Sequence, residues 1–398
     1  MQLERFKIFG INIPFKLEFA HAQAKRGFSD SLILMVEGRE GLRGFGEAVI
    51  RDYVSGGLIN EKGGESLAER AKKVVGKILS PLRDRGTLGG KPEGLMDVDE
   101  VIKEVEAYFV GLDARRSELP LVCASELALL DYLCRELGKD IYQLMGRKPV
   151  REKLYYGGTL PILPSGVAES ILSLFREIEI PNLRIKLNDE ITYTEKILSL
   201  VRDTLGNDFD IRVDANSSWD MKTALEQMEV LRNFGVSVIE DPLADEKRDF
   251  PLLFDNSITS DFVFVSDESM LDFDDIERIC EEKYFSIVNI RLSKNGGIFR
   301  SLKIAEMAEE RGVKYQLGCH VGETGILSAA GRVVASLLGD PLYVDGSYDS
   351  YILSDNVTTE NLSFGLRGEA SIIRGKYLGY TVDIEKLRRL SVETTEYF

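Results

Sequence analysis

IRVDAN at 211–216, SVIEDP at 237–242 and FVSDES at 264–269 share one design, a short apolar or β-branched run that stops on a carboxylate. The acids are Asp214, Glu240 and Asp267, with 26 and then 27 residues from one to the next. That interval holds one strand and one helix, so the three carboxylates occupy the same point of three successive units. The cadence continues in both directions. Apolar runs begin near Leu154, Leu183, Ile211, Val236, Phe262, Ile287, Tyr315 and Leu342, at gaps of 25 to 29 residues. Between most of them lie helix-patterned stretches such as TEKILSLVRDTLG, MKTALEQMEVLRNFG and RSLKIAEMAEERG, each ending on glycine. Eight such units predict an α/β fold, a modified (β/α)8-type barrel of (β/α)7β form, with functional residues at the C-terminal ends of the strands. A doubly wound open sheet is the alternative, and eight units of even length disfavour it.

The first 115 or so residues follow another pattern. FKIFGINIP, SLILMVEG and LRGFGEAVI read as antiparallel strands, and SLAERAKKVVGKILSPL and DVDEVIKEVEAYFVGL as helices. Residues 1–120 are therefore expected to form an α+β capping domain, completed by 360–398, and residues 121–359 the catalytic barrel. The helix ASELALLDYLCRELGKDIYQLMG leads into the first barrel strand.

Composition narrows the function. With 66 acidic against 50 basic residues the chain carries a net charge of -16, which repels polyanions and argues against nucleic-acid binding. No apolar run approaches a membrane span, and MQLERFKIFG has no signal core, so a cytoplasmic protein without membrane partners is expected. Cys123, Cys134, Cys280 and Cys319 form no CxxC pair and suit reduced, mostly buried thiols better than a disulfide framework. The only histidines are His21 and His320, which excludes a histidine-rich metal site.

Three hard oxygen ligands converging without thiolate or histidine suit Mg²⁺, with positions left for water and substrate oxygens. Solvation of strand ends is the plainer explanation for any one of these acids, but three in phase make it the weaker one. Cations lie close by. LRIK ends the second strand with Arg184 and Lys186 two residues apart and so on one face. An unpaired buried charge costs several kcal/mol, roughly, so this pair is expected to face a metal and a bound anion. The sixth strand, IVNIRLSKNGG at 287–297, ends on Arg291 and Lys294.

The set RIK, DAN, IEDP, SDES and NIRLSKNGG, in this order and cadence, resembles the enolase superfamily, and within it the muconate-lactonising-enzyme-like subgroup of the mandelate racemase/muconate lactonising enzyme family. The resemblance covers nearly the whole chain, including the FAHAQAKR and AVIRDYVSGG loops of the cap. It implies Mg²⁺-dependent removal of the proton α to a carboxylate, through an enediolate held on the metal. It implies Asp214, Glu240 and Asp267 as metal ligands, Lys186 as base, and the loops around His21 and Tyr53 closing over a small carboxylate substrate. Arg184, Asn216 of the DAN motif and Lys294 fall beside these positions as substrate-binding candidates, with pairing to the acidic shell the alternative for Lys294. Barrels of this family commonly assemble, so a homo-oligomer is compatible with the resemblance.

Two departures matter. Related epimerases carry a lysine where this chain has Arg291, giving one acid/base on each face of the substrate. A lysine can be tuned toward roughly 7 to 8 by neighbouring positive charge, whereas arginine stays protonated and serves as a fixed cation for an enediolate. One-base chemistry follows, with Lys186 acting on one face as in a cycloisomerisation or syn elimination and Arg291 stabilising charge. Pairing of Arg291 with Glu323 or Asp267 is the structural alternative. On the seventh strand KYQLGCHVGETG supplies His320 and Glu323 as further catalytic candidates, and Arg291 nearby favours a neutral imidazole. The eighth strand, LYVDGSYD, offers Asp345 for substrate binding where dipeptide epimerases show two acids. The leading expectation is thus a Mg²⁺-dependent isomerase or lyase. Its alternatives are an epimerase of dipeptides or N-acyl amino acids, an acid-sugar dehydratase using His320, and a non-catalytic carboxylate-binding barrel.

Overall fold

The computed structural model describes residues 3–22, 24–55, 65–84, 98–375 and 377–397. Seven short strands pair in parallel in chain order: Gly158–Leu160, Leu183–Lys186, Ile211–Asp214, Val238–Glu240, Val263–Ser266, Ile287–Ile290 and Lys314–Leu317. Residues 342–345 fill the eighth position. They join the seventh strand through Leu317 N to Tyr343 O (3.0 Å) and Asp345 N to Leu317 O (2.8 Å), and they meet the start of the first through Gly157 N to Val344 O (2.9 Å). The curled sheet is thereby closed into a barrel.

The run near Leu154, expected as the first barrel strand, lies elsewhere. Lys153–Tyr155 pairs antiparallel with Glu369–Ser371, and the barrel begins only at Gly158. Its side chains alternate exposed, buried, exposed, which suits a two-stranded ribbon with one wet face. The second barrel strand, by contrast, buries all four residues.

Helices cover the barrel because each carries an apolar stripe at helical spacing. In Ile191–Leu205 the buried positions are Thr194, Ile197, Leu198 and Val201, one face at three- and four-residue steps. Asp220 begins Met221–Asn233 by accepting the Thr223 N–H at 2.7 Å, satisfying a donor the helix cannot.

In the N-terminal part, Leu3–Ile11, Leu32–Gly38 and Arg43–Ala48 form an antiparallel sheet whose other edge strand is the C-terminal Ser391–Tyr397. Helix Leu119–Leu137 packs on it closely, because a Cβ at Gly46 would collide with the Ala124 carbonyl. A separate hairpin, Ile13–His21 with Ala24–Ser29, reaches the barrel mouth, where the Ile162 N–H donates to Ala20 O at 2.9 Å. The stretch FAHAQAKR, expected as a loop, is thus the turn end of a hairpin, whose alternation of Ile13, Phe15, Leu17 and Phe19 carries the strand signal. The cap docks on the barrel rim through polar contacts: Val49 N donates to Ser293 Oγ (2.9 Å), Ser29 Oγ to Gly322 O (2.6 Å), and Thr324 N to Glu47 Oε1 (2.9 Å). No helix among the described residues is long and apolar enough to cross a membrane.

Candidate active site

At the C-terminal rim of the barrel, under the cap hairpin, lies a cavity of about 220 Å³. Arg184, Lys186, Asn216, Arg291 and His320 line it, five of the residues expected from sequence. Because side chains on a strand alternate, Arg184 and Lys186 project together from the second strand, as do Arg212 and Asp214 from the third. Asp214, Glu240 and Asp267 lie at the same rim, fully buried among these cations.

Lys186 Nζ sits 2.7 Å from Asp214 Oδ2 and 2.9 Å from Asn216 Oδ1. The Asn216 N–H in turn donates to Asp214 Oδ1 at 2.9 Å, which fixes the carboxylate that faces the lysine. Glu240 is held by four donors: Arg184 Nη1 (3.1 Å), Asn289 Nδ2 (3.0 Å), Gln316 Nε2 (2.9 Å) and Arg291 Nη2 (3.4 Å). Burial alone would raise its carboxyl, but Arg184, Arg291 and Lys186 outweigh that and hold it below the usual carboxylate range. Arg291 Nη2 also donates to Asp267 Oδ2, so one guanidinium spans two of the three expected metal ligands.

Other expected site residues lie away from the cavity. Lys294, on the one-turn helix Leu292–Asn295, is turned inward and donates to Asp267 O, Asp267 Oδ1 and Asn289 O, each at 2.8 Å. Burial and the adjacent Arg291 push it down to about 7. With 1% of its surface exposed it holds Asp267 from behind and is not among the residues that line the cavity. Asp345 likewise is absent from the cavity wall: both its oxygens bond Arg212 Nη2 at 2.6 Å, and Arg184 Nη2 lies 3.4 Å away. The barrel interior holds two arginines that require a counter-charge, and Asp345 supplies it. Glu323 faces smaller spaces beside the main cavity and accepts the His320 N–H at 2.7 Å. Burial, reinforced by Glu47, pushes its carboxyl up to about 8. The side chains of His21 and Tyr53 lie outside the described residues.

His320 is 5% exposed and contributes to the cavity wall. Burial, then the positive charges of Arg291 and Arg51, drive it well below its ordinary range, so the imidazole is neutral. This is the form expected from the sequence.

The chemistry of the acidic side suits a hard divalent cation. Among the described residues the carboxylates that converge to within 4.8 Å of one another are Asp241, Asp267 and Glu268. Asp241 Oδ1 and Glu268 Oε2 are buried and accept no hydrogen bond, so oxygen donors without a partner stand beside the expected ligand Asp267. Asp241 also accepts the N–H groups of Asp267 (3.0 Å) and Glu268 (2.7 Å), tying the fourth and fifth strand ends together. The sequence reading passed over Asp241, Glu268 and Arg212. The first two directly follow recognised acids, and Arg212 stands two residues before one, so the strand alternation that revealed Arg184 carries the signal for it as well.

Residues 167–385, more than half of the chain, match the family described as Enolase C-terminal domain-like. The chain belongs to the enolase superfamily. Among curated relatives, this superfamily member is 25% identical over 339 residues to the N-succinyl-L-Arg/Lys racemase of Bacillus cereus, covering 84% of each chain. It is 27% identical over 359 residues to a chloromuconate cycloisomerase of Cupriavidus necator, covering 85% of this chain and 90% of that one. The crystal structure of the Bacillus cereus racemase superposes with a TM-score of 0.80 at 22% identity, covering all of both chains. A dipeptide epimerase from Enterococcus faecalis, solved with Mg and the dipeptide L-Leu-L-Tyr, superposes with a TM-score of 0.76 at 21% identity over 96% of this chain and all of the other. These structures share the barrel and cap, and the enzyme described here is an isomerase or lyase of the same superfamily.

Proposed function

We propose that this enzyme removes the proton α to the carboxylate of a small organic acid, with Lys186 as the base and Mg²⁺ as cofactor. The observation that carries the reading is Lys186 itself. Its Nζ reaches the cavity while Asp214 and Asn216 fix its position beside the expected metal ligands, within reach of the α-carbon of an acid seated there. Asp214, Glu240 and Asp267 would hold the ion, with Asp241 and Glu268 beside them. When bound, the ion offsets the negative charge that builds on the substrate carboxylate.

The chain's own residues supply the rest. Lys186 in its neutral form accepts the α-proton at Nζ, and the resulting ammonium is stabilised by the Asp214 carboxylate 2.7 Å away. Arg291 comes from the sixth strand, four positions around the barrel from the second, and adds fixed positive charge opposite the base. It does not return a proton, so protonation occurs on the face from which the proton left, or the electrons expel a leaving group. The floor is fully buried, so charges there interact across little water.

A second reading has its own support. Neutral His320 stands in the cavity wall, and several relatives are named racemases or epimerases, the Bacillus cereus enzyme among them. In that reading His320 delivers the second proton and the product is the epimer. The setting is cytoplasmic, in keeping with four free cysteines. Incubation in D₂O with Mg²⁺ and N-acyl amino acids, dipeptides and acid sugars separates the readings. One-base chemistry puts deuterium at the α-carbon with configuration kept, or expels a group, and inversion supports His320.

A further inference from the structure

The polar groups at the cavity floor account for a carboxylate, yet most of the wall above them is apolar. Leu17 and Phe19 descend from the cap strand Ile13–His21, Ile171 and Leu174 from helix Ser165–Glu177, and Tyr351 and Phe364 from the segment after the eighth barrel position. Three chain segments distant in sequence thus present apolar side chains to one space. Several are wet: Leu17 is 45% exposed, Leu174 42% and Tyr351 39%, which places three of the large exposed hydrophobic residues of the described chain at a single mouth. Such an apolar patch, continuous with a cavity that also has convergent polar groups, marks a ligand-contacting wall rather than ordinary surface.

Glu18 and Arg26 on that wall each have a counter-ion. Glu18 faces Lys25 at 2.7 Å, and Arg26 donates to Asp30 at 2.8 Å. Asp30 already neutralises Arg26 through Nη1, so a second charged end on a substrate would compete with Asp30 for that charge, although the guanidinium Nε is itself buried without a partner. On the eighth-strand side, Tyr348 presents a phenol whose hydroxyl donates to Gly157 O at 2.7 Å, and Asp345 is held by Arg212 and Arg184. Asp345 is thus already committed to two arginines and is not available to receive a substrate ammonium.

We infer that the acid this enzyme processes carries a bulky apolar arm, aryl or branched alkyl, seated between the cap hairpin and helix Ser165–Glu177. Polyhydroxylated acids and straight dicarboxylates are poor fits, because their second polar end gains no charged partner against Leu174, Tyr351 and Phe364, whereas an apolar arm there covers apolar surface now open to water. The inference takes from the proposed reaction only that a carboxylate sits on the cationic floor.

Calorimetric titration of the full-length protein in Mg²⁺ with 4-phenylbutyrate, butyrate, hexanedioate and D-gluconate tests it. The expected result is 4-phenylbutyrate bound at least ~10-fold more tightly than the other three, within the range an apolar pocket provides. Leu174→Asp, a change at a half-exposed position, is expected to reduce that preference at least several-fold. Equal or tighter binding of hexanedioate or gluconate, no detectable binding of 4-phenylbutyrate, or a preference that Leu174→Asp leaves intact would each overturn the inference. α-Hydrogen exchange of N-acetyl-L-phenylalanine in D₂O, followed in parallel, reports on the reaction separately. Selective binding with no exchange sinks the reaction and upholds the subsite, whereas exchange without apolar preference does the reverse.

Discussion

The Arg291 guanidinium donates through one nitrogen to both Glu240, at 3.4 Å, and Asp267, joining the ends of the fourth and fifth barrel strands from the sixth. The site is therefore asymmetric. A lysine from the second strand can trade protons, and across the barrel an arginine cannot.

Exchanging that arginine tests the asymmetry. Arg291→Lys keeps the charge and returns a group able to carry a proton, so deuterium incorporation with inversion should appear where the parent shows retention. Arg291→Met should lower kcat by roughly 100-fold, in line with loss of one preorganised stabiliser of developing negative charge. Chiral analysis of substrate recovered from D₂O reads the first outcome, and initial rates read the second. Retention alone in Arg291→Lys would argue that the sixth-strand position does not face the reacting carbon.

Metal dependence gives a prediction that does not require the substrate. Mg²⁺ at about 100 times its dissociation constant should stabilise the fold by about 2.7 kcal/mol, since only the native state assembles the carboxylates. Asp267→Asn should lose most of that response, because Asp267 belongs both to the rim triad and to the converging set with Asp241 and Glu268. Thermal melts with and without Mg²⁺, before and after a chelator, measure it. An unchanged Mg²⁺ response in Asp267→Asn would move the ion elsewhere.

The contact between helices Leu119–Leu137 and Ile298–Glu310 is expected to depend on pH. Glu126, wholly buried on helix Leu119–Leu137, accepts the Ile298 N–H at 2.5 Å and the Phe299 N–H at 3.3 Å at the start of helix Ile298–Glu310. Burial pushes its carboxyl up from 4.5 to about 8, against the lowering effect of those two N–H groups. A group whose folded value is raised contributes stability that is full below its unfolded value and is lost as pH rises through the folded one. The expected loss between pH 4.5 and 8 is on the order of 4 kcal/mol from this residue. Glu126→Gln should flatten that part of the curve, so denaturant midpoints of the two proteins should differ more at pH 9 than at pH 6, with the variant relatively favoured at pH 9. Parallel curves would remove Glu126 as the cause. Gly297 shares the spot: with φ at 112° and a Cβ position 2.6 Å from Glu126 Oε1, Gly297→Ala should destabilise by about 2 kcal/mol or more.

The barrel was legible because its evidence is periodic. Asp214, Glu240 and Asp267 mark strand ends at even spacing, and apolar stripes such as Thr194, Ile197, Leu198 and Val201 mark the helices between them. The run at Leu154 misled because an apolar residue flanked by exposed ones looks the same in an outer ribbon as in a barrel strand; only its partner, Glu369–Ser371, distinguishes them, and pairing over two hundred residues is not a local property. Site residues whose position follows from strand alternation, such as Lys186 and Arg291, were accessible. Their partners were not: that Asp345 neutralises Arg212, or that Lys294 turns down to Asn289 O, depends on which charges the closed barrel brings together. The apolar wall was missed for a related reason. Leu17, Leu174 and Tyr351 come from three segments with no shared motif, and each alone reads as an ordinary surface residue.

The central claim is that Lys186 alone moves the α-proton. It is tested most directly by incubating the protein and Lys186→Ala in D₂O with Mg²⁺ and an exchanging acid such as N-acetyl-L-phenylalanine, then recording α-deuterium by mass spectrometry and configuration by chiral chromatography. The account predicts deuterium with retained configuration in the parent protein and no exchange above background in a folded Lys186→Ala. Exchange that survives the loss of Lys186, or deuterium arriving with inversion in the parent, would contradict it.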